Sequence, residues 1–341
     1  AQEAVERGAV AIISELPPPE GFSGAWVQVE HGREALAVAA RKFFGAPDER
    51  IGITGVTGTN GKTTICYLVD SVLRAAGKTT ALIGTIEYRL GDETRAAVNT
   101  TPESLDLYRL FAELEQKGGA HATMEASSHA LALGRVHGIQ FHTAVFTNLT
   151  RDHLDFHHTM EDYFAAKRRL FEGYGANPPR FAIINEDDPY GRDISVGAGT
   201  ERISYGIETD TAVRAEGISA TLEGLRFEVR YGSLRLPIRS AMVGTVNVYN
   251  ILAACCAGFS YGIDPETIAR GIDDCKAVPG RFERVDEGQP FLVAVDYAHT
   301  DDALRNVLRI SRGLATGRVI AVFGCGGDRD RTKRPLMGDA A

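Results

Sequence analysis

The chain has 341 residues, and 37 Lys and Arg against 45 Asp and Glu leave a formal charge of −8. At 44% hydrophobic and 24% charged, it is too apolar for a disordered chain and too evenly mixed for a fibrous one. The acidic balance argues against a broad nucleic-acid surface, and no run approaches the roughly 18 uninterrupted apolar residues of a membrane span.

In chain order, short β-branched runs alternate with longer helical patterns. Ala9–Ile13 reads as a strand, Gly32–Phe44 as a helix, Ile51–Thr57 as a strand and Lys62–Ala76 as a helix stopped by Gly77. Thr80–Ile83 is a strand, and Glu103–Lys117 a helix with Thr101 as N-cap and Pro102 at its first position. Strands follow at His121–Glu125 and Thr143–Asn148, then a helix at Met160–Phe171 and a strand at Phe181–Asn185. This alternation is that of an α/β protein, with a parallel sheet covered by helices. Arg202–Tyr205, Leu225–Tyr231 and Leu234–Ile238, with a turn at Tyr231-Gly232-Ser233, predict an antiparallel patch added to that sheet. Helices return at Val248–Tyr261 and Pro265–Cys275. After Pro279-Gly280 a strand, helix and strand are predicted at Phe291–Asp296, Thr300–Leu314 and Val319–Phe323, with a domain boundary near Glu287-Gly288.

Cys66, Cys255, Cys256, Cys275 and Cys325 lack disulfide or zinc spacing, which predicts free thiols in a reducing cytosol. The start at Ala1-Gln2-Glu3-Ala4 has no Met and no signal peptide, and Leu336–Ala341 stops where a helix is beginning. The chain is therefore expected to be cut at both ends.

The most informative stretch is Gly55-Val56-Thr57-Gly58-Thr59-Asn60-Gly61-Lys62-Thr63-Thr64, which follows a strand and opens a helix. Glycines there let several N–H groups face one anion at a helix N-terminus. Lys62 offers a cation for the β- and γ-phosphates and Thr63 a hydroxyl for Mg²⁺. The common P-loop spacing would put a glycine where Val56 stands. Nucleotide triphosphate binding is nonetheless the expectation. Glu125 ends an apolar strand, where open α/β sheets place their ligands. Read by its spacing, Lys167 is a helix-surface lysine, and His157 and His158 belong to a solvated loop.

The string Gly58-Thr59-Asn60-Gly61-Lys62-Thr63-Thr64 resembles the ATP loop of the Mur ligases, the ATP-dependent amide-forming enzymes of peptidoglycan precursor synthesis. Asn99-Thr100-Thr101-Pro102, Met124-Glu125-Ala126-Ser127-Ser128-His129 and the run from Phe146 to Asp155 are similar to further motifs of that family. So are Val295-Asp296-Tyr297-Ala298-His299-Thr300 and Phe323-Gly324-Cys325-Gly326-Gly327-Asp328-Arg329-Asp330. Together they resemble the branch that forms the UDP-N-acetylmuramoyl tripeptide.

The resemblance implies residues 1–48 as the remainder of a UDP-substrate-binding domain, 49–286 as a central P-loop ATPase domain and 287–341 as the start of a Rossmann-like domain. It implies ATP binding by Gly58, Thr59, Asn60, Gly61, Lys62, Thr63, Thr64, Asn250, Arg281 and Asp296. Asn99, Thr100, Thr101, Ser127 and Arg135 are implied to contact UDP-MurNAc-L-Ala-D-Glu. Two Mg²⁺ ions are implied on Thr63, Glu125, His153 and Lys167, the lysine carrying a CO₂-derived carbamate, with Lys62, Glu125, His153 and Lys167 as the catalytic set. Thr332 stands where the family usually has Gly, and Leu133 where some members carry Gln. The second substrate is a free diamino acid, meso-diaminopimelate before L-lysine. A cytoplasmic monomer with no nucleic-acid partner and no membrane insertion is expected. A folylpolyglutamate synthetase-like ligase, a P-loop GTPase or kinase, and a non-catalytic nucleotide-binding fragment are the alternatives.

Overall fold

A computed structural model describes residues 2–325 and 331–341. The parallel pair β1 (Ala11–Ser14) and β2 (Ala25–Gln28) precedes the helix Gly32–Phe43. The main sheet begins with β3 (Gly52–Thr57), β4 (Thr80–Ile83), β5 (Glu87–Leu90) and β6 (Glu93–Ala96). It continues with β7 (His121–Glu125), β8 (Thr143–Phe146), β9 (Phe181–Asn185) and β10 (Glu201–Gly206). The last strands are β11 (Val213–Thr221), β12 (Gly224–Tyr231) and β13 (Leu234–Ser240). These 11 strands lie in the order β13-β12-β11-β10-β9-β8-β3-β7-β4-β5-β6. From β11 to β4 every pairing is parallel, and antiparallel strands extend both edges.

The apolar runs of β3, β7, β8 and β9 suit strands that are covered on both faces. Because successive side chains alternate, each strand feeds two cores. Val56, Val145 and Ile183 pack with Leu68, Val72 and Leu252 on one side. Ile53, Met124, Ala144 and Ile184 pack with Leu107, Phe111 and Leu170 on the other. The first core takes the helices Lys62–Ala75 and Val246–Ser260, the second Ser104–Gln116 and Met160–Glu172. The parallel sheet and its helices are as predicted.

Several local readings are corrected. The Arg202–Tyr205 run is β10, and it pairs in parallel with β9 rather than joining the antiparallel patch. That patch is β11, β12 and β13, with Gly232 and Ser233 turning between the last two. The hairpin β5–β6 was not anticipated: β5 alternates, with Tyr88 and Leu90 buried, but over only four residues, and the polar β6 has no apolar alternation. Thr101 caps no helix: the helix begins at Ser104 behind Glu103, because the Thr101 hydroxyl donates instead to the Glu125 carbonyl at 2.7 Å. Near the C-terminus, β14 (Glu283–Val285) and β15 (Val293–Val295) form an antiparallel pair, followed by the helix Asp301–Leu314. Val319–Phe323 forms no strand; among the described residues none pairs with it, and Val322 is 95% exposed. A helix does occupy Lys333–Ala340. The predicted glycine loop at Gly324–Asp330 lies partly outside the described residues. All five cysteines are free thiols, and among the described residues no helix is long and apolar enough to cross a membrane.

Candidate active site

The end of β3 runs directly into the predicted phosphate loop, and two of its glycines are obligatory. Gly58 has φ +144°, and a Cβ there would stand 1.8 Å from Thr147 Oγ1; Gly61 has φ +90°, and its Cβ would meet Asn250 Oδ1 at 2.5 Å. Any side chain would therefore be both strained and blocked. The loop is braced from the end of β8. Thr59 N–H donates to the Asn148 carbonyl (2.9 Å), Asn60 N–H to Asn148 Oδ1 (3.0 Å) and Thr147 Oγ1 to the Asn60 carbonyl (2.7 Å). The helix Lys62–Ala75 starts immediately behind Gly61, so its free N–H groups and the positive end of its dipole face the loop.

Glu125 ends β7 beside this loop and is 1% exposed. Its Oε1 accepts from Thr63 Oγ1 (2.9 Å) and Thr85 N–H (2.8 Å), and its Oε2 from Thr85 Oγ1 (3.2 Å). The Thr63 hydroxyl also accepts from Arg281 Nη2 at 2.8 Å. A hydroxyl and a carboxylate, both hard oxygens, thus stand together at the head of the loop helix. That donor pair fits Mg²⁺, which takes one or two protein oxygens and completes its shell with phosphate and water. Among the described residues, no group of three or more His, Cys, Asp and Glu side chains forms a metal cage.

Lys167 is not a surface residue. It is 1% exposed on the helix Met160–Glu172, its Nζ 4.3 Å from the Tyr163 ring centroid and donating to the Gly58 carbonyl at 2.8 Å. Lys62 Nζ donates to the same carbonyl (3.0 Å) and to that of Thr59 (2.8 Å). Burial, and then the neighbouring Lys62 charge, lower the Lys167 pKa well below its ordinary value, penalising the charged ammonium. Burial also lowers Lys62, against the opposing pull of Glu125 and Asp152. His153 takes the left-handed conformation at φ +55°, with Nε2 3.3 Å from Asp152 Oδ2. Burial pushes its pKa down to about 4, leaving the imidazole uncharged. His157, expected in a solvated loop, is instead buried, with its ring centroid 5.1 Å from that of Tyr163.

The predicted substrate-side residues converge on the other flank of Glu125. Thr100 Oγ1 is 3.0 Å from Thr85 Oγ1, and Ser127 N–H donates to Thr101 Oγ1 at 3.1 Å. Arg135 Nη1 donates to the Thr101 carbonyl at 3.0 Å. Asn99 is held through its backbone, its N–H donating to Tyr88 Oη at 2.9 Å. On the nucleotide side, Asn250 lies within the helix Val246–Ser260 and donates to Asn247 Oδ1 at 2.8 Å, so it is no helix cap. Asp296 accepts the Phe282 and Ala298 N–H groups at 2.7 and 2.8 Å, which fixes the segment carrying Arg281. Thr64 is buried in the first turn of the loop helix.

Thr85 and Asp302 escaped the sequence reading, and Thr147, Asn148 and Thr150 lay in the Phe146–Asp155 motif with no role assigned to them. Thr85 donates to Glu125 from both its backbone and its hydroxyl, and Asn148 and Thr150 brace the loop. Asp302 Oδ2 accepts from Asn60 Nδ2 at 2.8 Å, joining the helix Asp301–Leu314 to the loop. A polar residue just past a strand end, as in Ile83-Gly84-Thr85, was the available signal for Thr85. None existed for Asp302, which lies far from Asn60 in the sequence.

Residues 56–258 match the Mur ligase middle domain, and residues 280–341 match the Mur ligase, glutamate ligase domain. The UDP-N-acetylmuramoyl-L-alanyl-D-glutamate–2,6-diaminopimelate ligase of Solibacter usitatus (strain Ellin6076) is 65% identical over 341 residues, 100% of this chain and 69% of that protein. A solved structure of a ligase with the same description superposes with a TM-score of 0.81 at 32% identity, covering 100% of this chain and 70% of the other. A folylpolyglutamate synthase of Mycobacterium tuberculosis, complexed with ADP and AMPPCP, superposes at 0.67 with 16% identity, covering 82% of this chain and 70% of that one. The last shares the fold alone.

Proposed function

The chain belongs to the Mur ligase family, and from that premise we propose that it is an ATP-dependent ligase of the MurE type. It joins 2,6-diaminopimelate to UDP-MurNAc-L-Ala-D-Glu in peptidoglycan precursor synthesis. The observation that carries the reading is the Thr63–Glu125 contact of 2.9 Å at the head of the phosphate-loop helix, with Lys62 and Lys167 gathered on the Gly58 carbonyl beside it.

The reaction has two steps. An oxygen of the D-Glu γ-carboxylate attacks the γ-phosphorus of ATP and ADP leaves, giving an acyl phosphate. The neutral amine of the diamino acid then attacks the acyl carbon, loses a proton, and expels phosphate to leave an amide. Lys62 swings from its own loop carbonyls to the phosphates, and the loop N–H groups and the helix dipole hold the charge that develops. Asn60 and the other loop residues position the triphosphate, Asn250 and Asp296 the nucleoside and Arg281 its phosphates. Asn99, Thr100, Thr101, Ser127 and Arg135 hold the UDP-linked dipeptide, consistent with their convergence beside Glu125.

Mg²⁺, required across the family, supplies charge neutralisation on the transferring phosphoryl group. Thr63 and Glu125 would hold one ion. His153, neutral and therefore able to ligate, and Lys167 would hold a second. As an ammonium Lys167 repels a cation. Its depressed pKa exposes an amine lone pair that can bond to CO₂ and release a proton, leaving a carbamate oxygen in place of the charge. Residues 1–48, 49–286 and 287–341 are the corresponding domain portions, and the enzyme acts as a cytoplasmic monomer.

The test is phosphate release by the full-length protein. Release that requires both UDP-MurNAc-L-Ala-D-Glu and diaminopimelate supports the reading. No release with either diaminopimelate or L-lysine, or release with a pterin-linked glutamate in place of the UDP substrate, overturns it.

A further inference from the structure

Arg135 is gripped by a carboxylate that the phosphate chemistry does not use. Glu103 occupies the N-cap of the helix Ser104–Gln116, yet its side chain makes no capping bond. Its Oε1 lies 3.0 Å from Arg135 Nε and accepts from Arg33 Nη1 at 2.9 Å, while Oε2 takes the same Arg33 nitrogen at 3.1 Å. Arg33 belongs to the helix Gly32–Phe43, so one carboxylate ties the amino-terminal segment to a residue of the candidate substrate row. The Glu103–Arg135 contact is an ion pair and not an aligned hydrogen bond; the guanidinium's hydrogen bond runs from Arg135 Nη1 to the Thr101 carbonyl at 3.0 Å and fixes its other side. Thr101 in turn donates to the Glu125 carbonyl at 2.7 Å. The orientation of Arg135 is thus set by Arg33 on one side and by the Glu125 strand on the other.

Two guanidiniums around one carboxylate leave a surplus positive charge. An arginine whose planar fork is already fixed loses little rotamer entropy when it meets an anion. A free one would lose more. We propose that Glu103 is a positioning residue for the UDP-linked substrate: with Arg33 it holds Arg135 so that the surplus charge faces a carboxylate or phosphate of that substrate. The proposal rests on Arg135 being a substrate contact.

Steady-state kinetics and calorimetric binding of UDP-MurNAc-L-Ala-D-Glu to the full-length protein test it. Glu103→Gln is expected to raise the KM and Kd for this substrate about tenfold, the scale of one partly buried ion pair that orients a substrate contact. The KM for ATP and kcat should stay within about twofold, because no nucleotide contact is altered. Glu103→Asp should recover part of the loss. Arg33→Ala should cost about threefold, because Arg33 is more exposed than Arg135, and the double variant should match Glu103→Gln alone, since both act through one carboxylate. Arg135→Ala separates the two readings. If it raises the substrate KM and Glu103→Gln does not, the positioning role falls and the Arg135 contact stands. If Arg135→Ala leaves the KM unchanged, both fall. A Glu103→Gln protein with lower Tm and kcat but unaltered substrate affinity marks a purely structural residue and also overturns the proposal.

Discussion

Two stretches of one sheet behave differently. Along β9, β8, β3, β7 and β4 the strands are buried on both faces, and the loops past β3, β4, β7 and β8 carry Gly58–Lys62, Thr85, Ser127 and Asn148. Along β11, β12 and β13 burial alternates, as in β13 where Leu236 and Ile238 are buried between exposed neighbours. A cavity of about 510 Å³ lies there, lined by Thr221, Arg226, Arg239, Asp273 and Lys276 among others, and it contains none of the site residues. Parallel connection is the difference. Each parallel strand must hand the chain to a crossover, so loops and helix starts gather at one edge and their unpaired N–H groups face one place. Antiparallel strands return the chain at once: the β4–β5 turn adds Thr85 to that edge, whereas the turns of the patch add none of the site residues. The volume of a cavity says less than what its walls can do.

If that contrast is right, a change in the parallel stretch should remove chemistry, and one in the patch should remove stability only. Lys167→Ala carries the largest expected effect, a loss of roughly 10²–10³-fold in phosphate release, partly rescued by short carboxylic acids that stand in for the proposed carbamate. Undiminished turnover would break the contrast at its strongest point. Leu225→Ala, in the patch at 1% exposure, should cost about 2–5 kcal/mol in urea unfolding and leave the kcat of the folded protein unchanged. A fall in kcat beyond the unfolded fraction would show that the patch reaches the site.

Gly61→Ala is next. Its Cβ meets Asn250 Oδ1 at 2.5 Å and its φ is +90°, so the KM for ATP should rise about tenfold through a strained loop, with substrate affinity retained. The smallest effect is expected at the far end of the parallel strands. His142 stacks on Tyr261 at 4.3 Å, and burial lowers its pKa to about 4 from 6.5. Between those values the unfolded chain binds more protons than the folded one, so stability falls as pH drops from about 6.5 to about 4. His142→Phe keeps a ring against Tyr261 and should flatten part of that slope. Identical slopes in urea titrations at pH 7 and pH 5 would assign it to the other histidines whose pKa values burial lowers, His121 and, to about 4, His153 and His157.

What could be read from the sequence follows the same division. Glycines, a lysine and threonines between a strand and a helix are local features, so the phosphate loop was legible. So were the apolar strands of the parallel stretch. Lys167 was not, because its burial depends on Gly58 and Tyr163 closing over it, and helical spacing alone places it on a surface. Thr101 looked like a cap because its competing partner, the Glu125 carbonyl, comes from another strand. Val319–Phe323 looked like a strand because its composition is apolar, yet a strand also needs a neighbour to pair with. The Asp302–Asn60 contact joins residues too far apart in the chain for any local pattern to announce it.

On the ligase reading the parallel stretch activates a carboxylate by phosphorylation before the amide forms. UDP-MurNAc-L-Ala-D-Glu labelled with ¹⁸O in the D-Glu γ-carboxylate tests it most directly, because the attacking oxygen becomes the bridge of the acyl phosphate and leaves with phosphorus. Mass spectrometry of the phosphate released in the presence of ATP and diaminopimelate should find one ¹⁸O per phosphate. Amide formation with unlabelled phosphate would contradict the account.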